Sequence, residues 1–194
     1  MSEARPTTFD PRGAILMDRD AGQLRVGISA PRVMVPAEAL VTLCAKAGEE
    51  LTVALGHALG EAIGARLRER FESAGGDGVR GGPFALVVEH LAGEVALSGL
   101  GVLTAERWGK ALAFVVDHSP IAHEAIGDVM LCGVLSAAVR VATGASATIV
   151  PVAREGTRTR FLVLGDGALD GVLRELERGT GWHAIVGDLN GGAS

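Results

Sequence analysis

His57 and Glu61 stand four residues apart, a spacing that turns two ligands to one side of a helix. No HExxH motif accompanies them and no third ligand is evident, so no metal is expected. A second polar group, Asp117, His118, His123 and Glu124, surrounds Ser119-Pro120. Ser before Pro suits a helix start, and residues of this kind there read as solvated capping groups. Cys44 and Cys132 lack CxxC or zinc-ribbon spacing and sit among apolar neighbours. They read as buried free thiols. There is no GxSxG elbow, and Cys132 has no base beside it. Catalysis by an activated Ser or Cys therefore has no support, and the chain reads as non-enzymatic.

Two glycine motifs could hold a nucleotide. Gly76-Asp77-Gly78-Val79-Arg80-Gly81 matches GxGxxG, but the pattern places a helix before it and a strand after it. A dinucleotide loop needs the reverse. Gly165-Asp166-Gly167, with Gly171 and a later Asp188, has the right strand-to-helix order. It lies too late in the chain for a second nucleotide-binding half and reads as a tight turn. No GxxxxGK[ST] is present, and no cofactor is expected.

The most ordered glycines are Gly56, Gly60 and Gly64. At four-residue spacing they make one smooth stripe on a helix. Each costs about 1 kcal/mol of helix propensity relative to Ala, so something must approach closely. Either another helix packs there, within the fold or across a dimer, or an apolar ligand fills the gap. In the second case Gly60, Ile63, Leu131 and Leu135, with Cys132 nearby, would line a pocket between two helices. Gly127 and Gly133 interrupt the later helix in a similar way.

The elements that must position these residues follow from periodicity and punctuation. Residues 14–17 and 23–28 flank a turn-rich segment and predict a hairpin. Leu40, Leu43, Ala47, Leu51, Leu55 and Leu59 recur at helical spacing. Gly48 divides this pattern into helices 36–47 and 49–72. Residues 73–83 read as a loop. Three strand-like runs follow, 84–90, 94–103 and 111–117, as an antiparallel meander. A helix runs from Ser119-Pro120 to Thr143; from Val129 to Val139 it is apolar nearly all round and should be central; Gly144 stops it. A second hairpin joins 147–152 to 158–164 through Glu155-Gly156. Short helices cover 169–177 and 182–189, the latter capped by Thr180. Strands in runs predict an α+β fold, with about four to five antiparallel strands against a helical layer.

Of 194 residues, 28 are Gly, 48% are hydrophobic and 21% are charged. Such a chain is too apolar for disorder. With no Tyr, five Phe and a net charge of −5, it lacks a stacking platform or a basic face for nucleic acid. Residues 1–8 carry no signal-like apolar run. The longest uncharged stretch, 141–153, falls short of the roughly 18 apolar residues of a span. A cytoplasmic chain without a transmembrane segment is expected. It divides into a mobile tail, 1–12, one α+β domain, 13–164, and a helical extension, 165–194.

Three segments carry a family resemblance. LGHALGEAIGARLRERF (Leu55 to Phe71) is similar to the glycine-rich helix of TRAPP vesicle-tethering subunits. VALSGLGVLTAERWGKALAFVV (Val95 to Val116) is similar to the central strands of those subunits and of the 4-vinyl reductase domain. LCGVLSAAVRVATGASATIVPVAREGTRTRF (Leu131 to Phe161) resembles the 4-vinyl reductase ending. Cysteines that hold zinc in some of that family are missing from the 152–160 hairpin, so metal binding does not carry over. The resemblance implies a non-enzymatic module, often dimeric through helices. It implies binding of an apolar molecule or acyl chain, or scaffolding of a complex that engages a small GTPase. The leading expectation is a homodimeric interaction module in bacterial signalling or polarity, with Arg154, Arg158 and Arg160 as its partner surface. The alternative is a sensor or carrier of an apolar ligand.

Overall fold

A computed structural model of the chain describes residues 9–11, 14–26, 31–73, 78–122, 124–165 and 167–191. Ile28, Gly76, Asp77, His123 and Asp166 lie outside them. The expected first hairpin is present. Strands β1 (Ile15–Asp18) and β2 (Gln23–Val26) pair antiparallel with Ile15 opposite Val26, and β3 (Pro31–Arg32) adds to β2. The Asp18 carboxylate accepts from the backbone N–H groups of Asp20 and Ala21, at 3.1 and 2.9 Å. This local bond is what makes an Asp turn.

Helices α1 (Ala37–Ala47) and α2 (Glu49–Ser73) break at Gly48, whose φ of +86° suits glycine. Pro36 stands just ahead of α1 rather than inside it. A short helix α3 (Gly78–Gly81) falls within the expected loop. The largest correction comes next. Residues 84–90 and 94–97 are not strands; they belong to one helix, α4 (Phe84–Leu97). Its buried residues, His90, Leu91, Glu94 and Val95, recur at helical spacing, but two of the four are polar. An apolar count therefore misses the period. The Val95-to-Val116 segment accordingly begins in a helix.

The remaining elements follow the sequence closely. They are β4 (Val102–Trp108), β5 (Ala111–Asp117), α5 (Ala125–Thr143), β6 (Thr148–Glu155), β7 (Arg158–Leu164), α6 (Leu169–Glu177) and α7 (Trp182–Gly191). Helix α5 starts later than Ser119-Pro120 predicts, because residues 119–122 form a turn that buries Ile121 and Ala122. It ends where expected: Gly144 adopts φ +67° and its N–H bonds to the Arg140 carbonyl at 2.7 Å. Thr180 does not cap α7; its hydroxyl donates to Glu175 at 2.8 Å.

The main sheet has four antiparallel strands in the order β4-β5-β7-β6. Phe114 lies opposite Phe161, and Leu103 opposite Val116. Pro151 sits on the edge strand β6 beside a register shift, where its missing N–H costs no ladder bond. One sheet face, with Leu103, Phe114, Val116, Ile149 and Phe161, joins the core built with α1, α2, α4 and α5. The other face, with Ala111, Leu162 and Leu164, packs against Val172, Trp182, Ile185 and Val186 of α6 and α7. The fold is α+β, as the pattern of strands and helices predicts.

By length and composition alone, α5 could cross a membrane. Here Leu131, Val134 and Leu135 are wholly buried in the core, each stabilising the fold by roughly 1.5–3 kcal/mol.

Candidate functional site

The glycine stripe has a definite neighbour. A Cβ on Gly56 would overlap the Met130 carbonyl oxygen and lie 3.2 Å from the Gly133 Cα. A Cβ on Gly60 would overlap the Val134 oxygen, and one on Gly64 would come within 2.5 Å of the Ala138 oxygen. Rising residue numbers on α2 meet rising numbers on α5, so the helices run parallel with backbones in contact. The stripe is consumed within the chain. The apolar slot expected at Gly60 is filled by α5 itself. Ile63, Leu131 and Leu135 are fully buried in the same core, and Cys132 is half-buried beside it.

Burial, and next the Asp128 carboxylate, push the Cys132 thiol up to about 12. It is therefore a protonated thiol rather than a nucleophile. Cys44 is buried on α1. His57 is exposed, and Glu61 pairs instead with Arg140 of α5 at 2.8 Å. Among the described residues no three His, Cys, Asp or Glu side chains are grouped to hold a metal.

Of the three arginines expected to form a partner surface, Arg154 and Arg158 are exposed and Arg160 is buried, and each pairs with a carboxylate of this chain. Arg154 pairs with Asp128, and Asp128 also accepts from the Thr159 hydroxyl at 3.4 Å. Arg158 reaches Asp117 at 3.4 Å. Asp117 accepts from the Thr157 hydroxyl at 2.6 Å, the largest cause that holds its carboxyl below the usual range. Arg160 is not a surface group: its side chain is only 10% exposed, between Glu155 at 2.9 Å and Glu106 at 3.2 Å. Its guanidinium lies 5.0 Å from the Trp182 ring centroid, a cation–π contact. Arg160 faces the α7 side of the sheet because its backbone pairs with Val115 and Ala153.

A narrow apolar crevice lies under α1. Leu40, Val41 and Cys44 form one wall; Ile121, Ile126 and Met130 form the other, with Gly127 at the base. Gly127 is required there, since a Cβ would overlap the Ile121 carbonyl. The crevice has no room for a water molecule as it stands. Its roof is lightly held: α1 buries only Val41 and Cys44, and it is joined to the rest of the fold by residues 33–35, all exposed, and by Gly48. A helix with so few buried contacts belongs to the low-stability part of a fold. Opening α1 would expose a dry, hydrocarbon-lined site. Sequence reasoning placed a candidate pocket between α2 and α5 at Gly60, where the structure brings the two backbones into contact. Val41 and Cys44, three residues apart on α1, were the available signal for the crevice.

A second feature escaped the sequence altogether. Glu94 of α4 is 0% exposed, and pairs with Arg66 at 2.5 Å and Arg70 at 2.7 Å, both on α2. The basic end of α2 is thus turned partly inward.

No family model matches the chain, and no curated protein sequence matches it. Among solved structures, the chain is similar to the phenol-responsive sensory domain of the transcription activator PoxR, determined with phenol. The TM-score is 0.60 at 14% identity, covering 84% of this chain and 92% of that one. At that identity the likeness is one of fold.

Proposed function

We propose that the chain is a non-enzymatic sensory module that takes a small apolar molecule beneath α1. The apolar crevice between α1 and the start of α5 carries this reading. The fold shared with a phenol-responsive domain supports it. A ligand would enter as α1 lifts, stabilised by replacing water at hydrocarbon walls. Its arrival would shift α1 and, with it, the exposed Val33, Met34 and Val35 that precede it.

Phenol and benzene are suitable probes. Either should raise the melting temperature of the parent chain, and Cys44→Phe, which fills the crevice, should abolish the rise. Stabilisation that survives Cys44→Phe, or none in either protein, would remove the crevice from consideration.

A specific observation favours a second reading, a homodimeric interaction module. Val33 is 86% and Met34 75% exposed, and Ile15, Leu16 and Met17 of β1 are exposed as well. Exposed apolar side chains of this kind are what an interaction surface would use. The resemblance to 4-vinyl reductase and TRAPP modules, and with it a cytoplasmic signalling role, belongs to the same proposal. Light scattering of the parent and of Val33→Glu/Met34→Glu tests it: a dimer converting to monomer supports this face, and a monomeric parent rules it out.

A further inference from the structure

Arg66 and Arg70 of α2 meet Glu94 of α4, with Arg32 of β3 within electrostatic reach. Glu94 is fully buried and takes Arg66 Nε on one oxygen and Arg70 Nη2 on the other. Arg32 of β3, half-buried, is close enough to feel the charges of both Arg66 and Glu94. Both oxygens of Glu94 are engaged by Arg66 and Arg70. The nearby Glu89 accepts the backbone N–H of Phe9 at 3.0 Å. Arg66 is only 11% exposed, and its Nη1 and Nη2 are buried with no hydrogen-bond partner. Buried donors without partners are rare, and an unbalanced buried charge is costlier still. The Nη1 and Nη2 pair is also the half of a guanidinium that grips a carboxylate with two parallel bonds. Rings stand beside Arg70, one turn further along α2. Phe71 packs edge-on to His90 at 5.4 Å, and Phe9 lies over Arg70 at 4.9 Å.

We propose that Arg66 and Arg32 bind the carboxylate of a small organic acid. Glu94 is the fixed counter-charge that orients Arg66, and Phe9, stacked over Arg70, offers a ring to the organic body. The site is separate from the crevice under α1. Arg66 lies about 15 Å further along α2 than Gly56, which packs against the crevice residue Met130.

Benzoate, inorganic phosphate and phenol serve as probes in calorimetry and melting experiments on the full chain in low-chloride buffer. Benzoate should bind saturably and raise the melting temperature. Arg32→Ala should weaken benzoate at least tenfold, while the empty variant melts no lower than the parent because one repelling cation is gone. Arg66→Lys keeps the charge beside Glu94 but loses the planar fork, and should weaken benzoate as much. Cys44→Phe should leave benzoate binding intact, so failure of the crevice reading and failure of this one are distinguishable. The proposal is overturned if benzoate gives no saturable effect, or if both arginine variants bind it as the parent does. Phosphate matching benzoate would reduce the site to a general anion sink. Phenol matching benzoate, and equally sensitive to Arg32→Ala, would show that no carboxylate is read. Either result also overturns the proposal.

Discussion

Gly60 of α2 sits against the Val134 carbonyl of α5 so closely that a single methyl group would overlap the oxygen. A rigid backbone atom cannot rotate away as a side-chain end can. Gly60→Ala gains about 1 kcal/mol of helix propensity but forces the two helices apart, an overpacking cost of roughly 1–3 kcal/mol. Net destabilisation of up to about 2 kcal/mol is expected in urea unfolding. Gly171, inside α6, has nothing within 4 Å of its Cβ position, so Gly171→Ala should stabilise by up to about 1 kcal/mol. If both variants gain stability alike, the stripe is not tightly packed.

Glu94 holds Arg66 and Arg70 together in the interior. Removing one partner of a buried pair leaves the rest uncompensated, a loss of about 3–5 kcal/mol. Glu94→Gln should lower the urea midpoint accordingly, whereas Glu72→Gln, in an exposed pair with Arg68 at 3.8 Å, should cost less than about 1 kcal/mol. Equal effects from the two would show that Glu94 does no more than a surface charge.

Cys132, with its thiol pushed up to about 12 by burial, should resist alkylation. In a Cys44→Ala background, iodoacetamide labelling at pH 8 should run at least about tenfold slower in the folded protein than in urea. A raised thiol pKa also means that its stabilising contribution is present below the unfolded value and lost as pH rises toward 12. Rapid labelling of the folded chain would contradict the burial.

Asp117 gives an acid-side signature. Its carboxyl is held low, first by the Thr157 hydroxyl and then by the His118 N–H. A depressed carboxylate contributes stability above its unfolded value, and loses it as pH falls through the folded one. Thr157→Val should therefore flatten the decline in stability below about pH 4. Superimposable pH profiles for parent and variant would mean that this hydrogen bond is not formed in solution.

Local chemistry alone determined a good part of this protein. Gly48 and Gly144 end helices because the chain there needs a positive φ. Glu155-Gly156 turns the second hairpin, and Leu169–Glu177 is helical as its period requires. The stripe at Gly56, Gly60 and Gly64 announced a close approach before any partner was known. What approached it was decided by tertiary structure, because 3.6-residue periodicity says where a face lies and not what covers it. The same limit hid α4. Glu94 and His90 occupy its buried face, and charge at buried positions looks like solvent exposure until the arginines of another helix are brought alongside. Arg160 was misplaced for the same reason, since only strand pairing and the α7 aromatic ring set its side of the sheet. The crevice under α1 exists because residues far apart in sequence, Val41 and Ile121 among them, fold to face each other.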